Sequence, residues 1–408
     1  MTLLGLTCAL TCVAGASGVW QPVPTADLPS GNSPAVRQSG AVLPGIDVLL
    51  RDSLHLVQGK RVGLITNQTG IDASGVSTVD RLASAPGVHL VALFTPEHGL
   101  RGTAAPGERV TDTVDAATGL PIYSLYGARR TPTAAQLASL DVLVVDLQDV
   151  GTRTWTYVST TVLALQAATV AHRRVVVLDR PDPIGGCVIQ GPILDTAYAS
   201  FIAMLPVPLR HGLTMGELAR FANARLRIGA DLVVVPVSGW RRCDWLDRTG
   251  LRWVRPSPNL PDLEAATWYP GTVLFEATNL SVGRGTDAPF RQVGAPWLRA
   301  DVVARVMRQR YRLALDTVRF TPHAPGDGKF DGVEVRGVRL PAADRLRGDP
   351  VRDAIRLLRT IAAQHPGLLR VDSLGLARRL GVWPGAAETW PADARRFAAD
   401  RAQFLLYR

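Results

Sequence analysis

A chain of 408 residues, 47% of them hydrophobic and 20% charged, holds enough apolar material for one large core or two medium ones. Its formal charge of +10 rests almost wholly on arginine, since Lys60 and Lys329 are its only lysines. The arginines are scattered, without a basic tract, zinc-finger spacing or RNA-binding aromatic signature, which excludes a nucleic-acid partner and leaves anionic surfaces such as cell-wall material.

The N-terminus carries an apolar run from Leu3 to Val13, then small residues, then a Pro/Ser-rich stretch. This reads as a secretory signal peptide over 1–20 and a linker over 21–44, although no Lys or Arg precedes the run. Export to the periplasm or the extracellular space follows, with a cytoplasmic location as the alternative. Cys12 lacks a convincing lipobox before it. Once a signal is removed only Cys187 and Cys243 remain, and their count allows either one disulfide or two separate buried thiols. No later segment reaches the 18 or so apolar residues of a membrane span. The sequence leaves the oligomeric state open.

From Gly45 onward strand-like and helix-like segments alternate. The runs at 61–67, 89–95, 141–147, 173–179 and 231–237 are short, apolar and valine-rich, as strands buried on both faces are. Helical stretches cover 76–84, 157–172 and 214–227, and Thr214 with Glu217 has the spacing of a capping box. The pattern predicts an α/β domain over 45–250, a Rossmann-like open and mostly parallel sheet. The segment 254–297 is rich in Pro, Gly and aromatics with little periodicity and reads as a long functional loop. Helices near 298–310 and 350–363, strands at 318–323 and 333–340, and a terminal helix ending "FLLYR" complete a smaller α+β C-terminal domain over 251–408.

In open α/β sheets ligands bind beyond the carboxyl ends of the strands. The polar groups following those ends are Glu97, His98, Arg101, Asp146, Asp149, Arg153, Tyr157, Asp179, Arg180 and Asp182. The first strand leads into "TNQTG" rather than G-x-G-x-x-G, no P-loop exists, and "GRGT" at 283–286 has no strand before it, so no dinucleotide is expected. Neither H-E-x-x-H nor a cysteine ligand spacing is present, so no metal or other cofactor is expected. A serine nucleophile lacks its G-x-S-x-G elbow.

Carboxylate acid–base chemistry remains. Glu97, in the strand-end turn "TPEHG", can be held rigid and partly desolvated, as an acid in glycoside cleavage must be. Its structural alternative is a cap or a pair with Arg101. His98 either binds substrate or only orients Glu97 or a carbonyl. Tyr157 either hydrogen-bonds a sugar or packs in the core. Asp146, Asp149 and Asp179 stand at strand ends as substrate-binding candidates. Glu276, Asn279, Arg284 and Asp287 interleave with Trp268, Tyr269, Phe275 and Phe290, a mixture suited to sugar hydroxyls and faces. A carboxylate on that sugar would find Arg101, Arg153 and Arg284 as bidentate donors.

The segments "GLITNQTG", "LFTPEHGLRG", "VVDLQDVGTRTWTY", "LDRPDPIGG", "PLRHGLTMGELA" and "SPNLPDLEAATWYPGTVLFEATNLSVGRGTDAPF" resemble, over roughly 45–408, the NamZ-type exo-β-N-acetylmuramidases. The resemblance implies a Rossmann-like domain with a smaller C-terminal domain and a cleft between them. It also implies removal of terminal non-reducing N-acetylmuramic acid from peptidoglycan fragments. The family's proposed catalytic glutamate and tyrosine look like Glu97 and Tyr157. A non-catalytic wall-binding protein, or an esterase or amidase acting on wall fragments, is the alternative.

Overall fold

A strand that is apolar on both faces is stable only where helices cover both, and the valine-rich runs meet that condition. The computed structural model describes residues 41–345, 347–385 and 390–408. The segment read as a signal peptide and most of that read as a linker lie outside the described residues.

The strands are β1 (Arg61–Thr66), β2 (His89–Thr95), β3 (Thr113–Val114), β4 (Pro121–Ser124), β5 (Val142–Asp146), β6 (Arg174–Leu178), β7 (Gln190–Ile193), β8 (Pro208–Arg210), β9 (Leu232–Val235), β10 (Gln292–Ala295), β11 (Asp316–Phe320) and β12 (Val335–Arg339). The α-helices are α1 (Gly45–Asp52), α2 (Thr78–Ser84), α3 (Ala134–Ala138), α4 (Thr156–Val170), α5 (Met215–Arg225), α6 (Leu263–Thr272), α7 (Ala300–Tyr311), α8 (Pro350–Gln364), α9 (Ser373–Leu380) and α10 (Trp390–Arg401).

The main sheet has the order β3-β4-β2-β1-β5-β6-β9 and is parallel except for the edge strand β3. Alternation sends Leu143, Val145, Val175 and Val177 to one face, where they meet Val162 and Leu165 of α4 and Leu218 of α5. Val142, Val144, Val176 and Leu178 turn to the other face, against Ile46 and Leu49 of α1 and Leu82 of α2. Each such side chain, fully buried, contributes about 1.5–3 kcal/mol. The expected capping box closes α5: Glu217 N donates to Thr214 Oγ1 at 3.3 Å and Thr214 N to Glu217 Oε2 at 3.1 Å. A second sheet, β10-β12-β11, is antiparallel, and β7 and β8 form a small ribbon. Among the described residues no helix is long and apolar enough to cross a membrane.

Two expectations need correction. The segment 254–297 is no continuous loop: it holds α6, begun by Asp262, whose side chain accepts from Ala265 N at 2.8 Å, then a 3₁₀ turn at Val273–Ala277, then β10. From Ala265 to Thr272 every residue of α6 is buried, so it has no polar face to give it amphipathic periodicity, and Pro270 within it reads as a breaker. The terminal helix, for its part, stops at Arg401. The last residues run back beneath the main sheet, where Tyr407 Oη donates to Asp179 Oδ2 at 2.5 Å and Leu406 N to Glu217 Oε1 at 2.7 Å. Cys187 and Cys243 form a disulfide, with Cα atoms 5.0 Å apart.

Candidate active site

The chain leaves β2 through Pro96 into a turn in which Gly99 N donates to Pro96 O at 3.2 Å. His98 has φ of 71° and Gly99 of 76°. The left-handed conformation is free for the glycine and strained for the histidine, so the surrounding contacts must hold it. One of them is the hydrogen bond of His98 Nδ1 to Ala104 O at 2.9 Å. A carbonyl only accepts, so Nδ1 carries the proton and Nε2 of the neutral ring is an acceptor. Burial lowers the His98 pKa, against the opposing pull of the Glu97 charge, which keeps the ring neutral near pH 7.

Glu97 is held by two uncharged donors. Gly107 N donates to Oε1 at 3.1 Å and the Thr156 hydroxyl to Oε2 at 2.7 Å. Tyr126, just past β4, lies beside the same side chain. Burial and the Glu97 charge push its phenol well above the usual range. Thr156 is the first residue of α4, so the start of that helix is tied to the Glu97 carboxylate.

Glu97, His98 and Thr156 form one wall of a cavity open to solvent. The opposite wall comes from the 3₁₀ turn after α6, the loop that follows it and α9. There Arg284 Nε donates to Glu276 Oε1 at 2.9 Å, and its Nη2 reaches the same oxygen. Arg379 Nη2 donates to Glu276 Oε2 at 3.3 Å. Burial alone would raise the Glu276 carboxyl, but the charges of Arg284 and Arg379 outweigh it and hold the group below the usual range. Lys329 Nζ donates to the carbonyls of Glu276 and Leu280 at 3.1 and 3.2 Å. Between the walls lie Trp155, Tyr269 and Phe290. Tyr269 meets Trp155 edge-on at 5.9 Å and Phe290 at 4.7 Å, and its hydroxyl donates to Thr154 O at 3.0 Å.

A strand-end carboxylate fixed by neutral donors, facing a carboxylate locked between cations across an aromatic floor, suits proton transfer on a polar, ring-shaped ligand. The N-terminal model of the exo-beta-N-acetylmuramidase NamZ family matches residues 62–264, and the C-terminal model matches residues 267–407. The chain belongs to the NamZ family. It is 43% identical over 325 residues to the peptidoglycan beta-N-acetylmuramidase NamZ of Bacillus subtilis, covering 80% of this chain and 78% of that protein. It is also similar to two crystal structures of DUF1343 family proteins from Bacteroides fragilis. One has a TM-score of 0.83 at 33% identity and the other 0.71 at 29%, each match covering 90% of this chain and 99% of that one.

Within this NamZ chain the structure brings Glu97, His98, Glu276 and Arg284 to the cavity and places the remaining candidates elsewhere. Tyr157 lies fully buried behind the wall. Its hydroxyl donates to Pro256 O at 2.6 Å, with Glu97 O at 3.4 Å, and thereby backs Ser257, a cavity residue. Burial, then the Glu97 charge, raise its phenol well above the usual range. Arg101 points outward and pairs with Asp115 at 2.9 Å. Asp146 is gripped by Arg180 Nε and Nη2 at 2.5 and 2.9 Å and by the Thr78 hydroxyl. Asp149 accepts from Gly151 N at 2.6 Å, and burial with the nearby Asp182 raises its pKa. Asp179 accepts from Thr214 Oγ1 and Tyr407 Oη, with burial raising it to about 6. The buried Arg153 donates to the carbonyls of Pro192, Val207 and Arg379 at 2.8, 2.7 and 2.9 Å, and burial lowers it to about 9. Asn279 ties Leu368 O and Arg370 N, and Asp287 is exposed, with Arg339 Nη2 at 3.4 Å.

Asp146 and Asp179, at the ends of β5 and β6, are occupied by Arg180 and by Thr214 and Tyr407, and the open cavity lies off β2 and the segment that leads from β5 into α4. Sequence reading missed Tyr126, Thr156 and Arg379. Thr156 was within reach, being next to Tyr157 in "GTRTWTY". Tyr126 follows a four-residue strand too short to read, and nothing local marks Arg379.

Proposed function

We propose that this protein is an exo-β-N-acetylmuramidase that removes terminal non-reducing N-acetylmuramic acid from peptidoglycan fragments, with Glu97 as the proton-transfer group. Membership of the NamZ family supports the activity. Hydrolysis breaks the bond from C1 to the glycosidic oxygen, places the hydroxyl of water on C1 and leaves a proton on the departing oxygen. Of the two carboxylates at the cavity, Glu276 is fixed as an anion by two guanidinium groups, whereas Glu97 accepts only from neutral donors. That contrast carries the assignment: Glu97 is the carboxyl able to gain and lose a proton, as acid toward the leaving oxygen or base toward water. His98 Nε2 is placed to accept from a ligand hydroxyl, and Thr156 aims the Glu97 carboxylate. The placement of Tyr157 supports a positioning role through Pro256 and Ser257.

Export accompanies this reading. A disulfide between Cys187 and Cys243 fits an oxidising compartment, where peptidoglycan also lies.

The test is release of chromophore from an aryl β-N-acetylmuramide, with product masses recorded on natural fragments. Free N-acetylmuramic acid, lost in Glu97→Gln, is the expected result. Binding without turnover would make the protein a wall-binding module, and loss of acyl or peptide groups would make it an esterase or amidase.

A further inference from the structure

We infer that Arg379, and not Arg284, receives the carboxylate of the ligand and so sets the preference for a carboxylate-bearing sugar at this site. The inference rests on the muramidase reading. N-acetylmuramic acid differs from N-acetylglucosamine by a lactyl ether on O3 that ends in a carboxylate, so selecting it requires a cation with donors still open to a ligand.

The arginines differ in what they already hold. Arg101 is paired with Asp115 outside the cavity, and the buried Arg153 donates to three carbonyls. Arg284 directs both Nε and Nη2 at Glu276 Oε1 and lies over the Phe290 ring at 5.1 Å, so its fork is already filled by a carboxylate. Arg379 is the looser of the pair on Glu276. Its Nη2 contact to Oε2 is 3.3 Å, its Nη1 contact to Gly375 O is 3.4 Å, and its buried Nε has no partner. The Nη contacts of Arg379 are the long ones, whereas Arg284 is bound through its Nε/Nη2 edge, so the Nη donors of Arg379 are the freer to turn to a ligand in the cavity it lines. The charges agree: Arg284, Arg379 and Lys329 stand against Glu276 and the nearby Asp327, three cations against two anions, which leaves the wall one anion short. A carboxylate from the ligand makes up that deficit, on the wall opposite Glu97.

The fold also holds Arg379 in place by its backbone. Arg153 Nη2 donates to Arg379 O at 2.9 Å just where α9 ends. The capping residue Gly381 has φ of 89°, and a Cβ there would come within 2.5 Å of Arg153 Nη2. The guanidinium thus projects from a helix end that is clamped from below.

The experiment compares kcat/KM for an aryl β-N-acetylmuramide and for its lactyl carboxamide, which is neutral at the same position. Wild type is expected to favour the carboxylate by about 100-fold, the scale of a charged, two-bond contact. Arg379→Gln is expected to lose that preference, falling about 100-fold on the carboxylate and less than about threefold on the amide, with Arg379→Lys recovering part of it. Arg284→Gln is expected to lower both substrates alike. An Arg379→Gln protein that kept the wild-type ratio, or an Arg284→Gln protein that alone lost it, would overturn the inference. If wild type turned over neither substrate, the muramidase reading would fall by itself. Calorimetric binding would then decide: weaker N-acetylmuramic acid binding by Arg379→Gln with N-acetylglucosamine binding unchanged supports the inference, and equal affinities for N-acetylmuramic acid overturn it.

Discussion

The Thr156 hydroxyl donates to Glu97 Oε2 at 2.7 Å, joining the first residue of α4 to the turn after β2. Without that bond Glu97 keeps Gly107 N but loses the partner that ties it to the helix. Glu97→Gln is expected to lower kcat on an aryl β-N-acetylmuramide by about 1,000-fold or more, the scale of a lost general acid–base group. Thr156→Val should lower kcat about tenfold with KM little changed, since the bond serves orientation. Steady-state kinetics on both variants decides, and wild-type turnover in Glu97→Gln would remove Glu97 from the chemistry.

The two tyrosines near Glu97 should behave differently. Tyr126 lies beside the carboxylate and feels its charge, whereas the Tyr157 hydroxyl is occupied by Pro256 O at 2.6 Å. Tyr126→Phe is expected to cost about tenfold or more in kcat with little change in stability. Tyr157→Phe leaves a buried carbonyl unpaired, so it should lower stability by about 1–3 kcal/mol and activity only a few-fold. Denaturant titration beside kinetics separates the two. A loss in Tyr157→Phe as deep as that in Glu97→Gln would return the Tyr157 phenol to the reaction.

The bond between Cys187 and Cys243 spans a sequence separation of 56. Loop-closure entropy for a ring of that size gives a stabilisation of about 4 kcal/mol. The double Ser variant, and the wild type under reductant, should both melt several degrees below the oxidised protein by scanning calorimetry. Equal melting temperatures would mean that the bridge adds nothing to the fold.

Asp182 supplies a pH test. Burial, opposed by Arg210 and Arg242, raises it from 3.8 to about 7. The folded state therefore binds this proton more tightly than the unfolded state. The associated stability is full below pH 4, falls as the pH rises toward 7 and is gone above it. His211, lowered to about 3 chiefly by burial, acts in the opposite sense below pH 6.5, so the comparison must be made against a variant. Asp182→Asn should gain about 2–3 kcal/mol on wild type between pH 5 and pH 8, read as melting temperature against pH. Parallel curves for the two proteins would show that Asp182 does not titrate in that window.

What could be read in advance depended on how local each cause is. The strands β1, β2, β5 and β6 announced themselves because a strand covered on both faces must be apolar throughout. The cap on α5 was legible for the same reason, with Thr214 and Glu217 three residues apart. Helix α6 was not, since burial on every side erases the periodicity that marks a helix. The strand-end acids show the limit more sharply. Asp146 ends β5 and Glu97 stands two residues past β2, yet one is closed over by Arg180 from the next strand end and the other opens on a cavity. Arg379 meets Glu276 across 103 residues, a pairing that only the folded chain supplies.

The seat of Tyr407 against Asp179 bears on the order in which the protein is made. The two residues are 228 apart, which at ~5–20 residues per second is roughly ten to fifty seconds of translation. Throughout that time the acid at the end of β6 lacks one of its donors, and for most of it every strand of the main sheet has already been made, β9 at Leu232–Val235 being the last. A chain cut before Tyr407 would keep the turn that carries Glu97 in its sequence and deprive Asp179 of one of its donors.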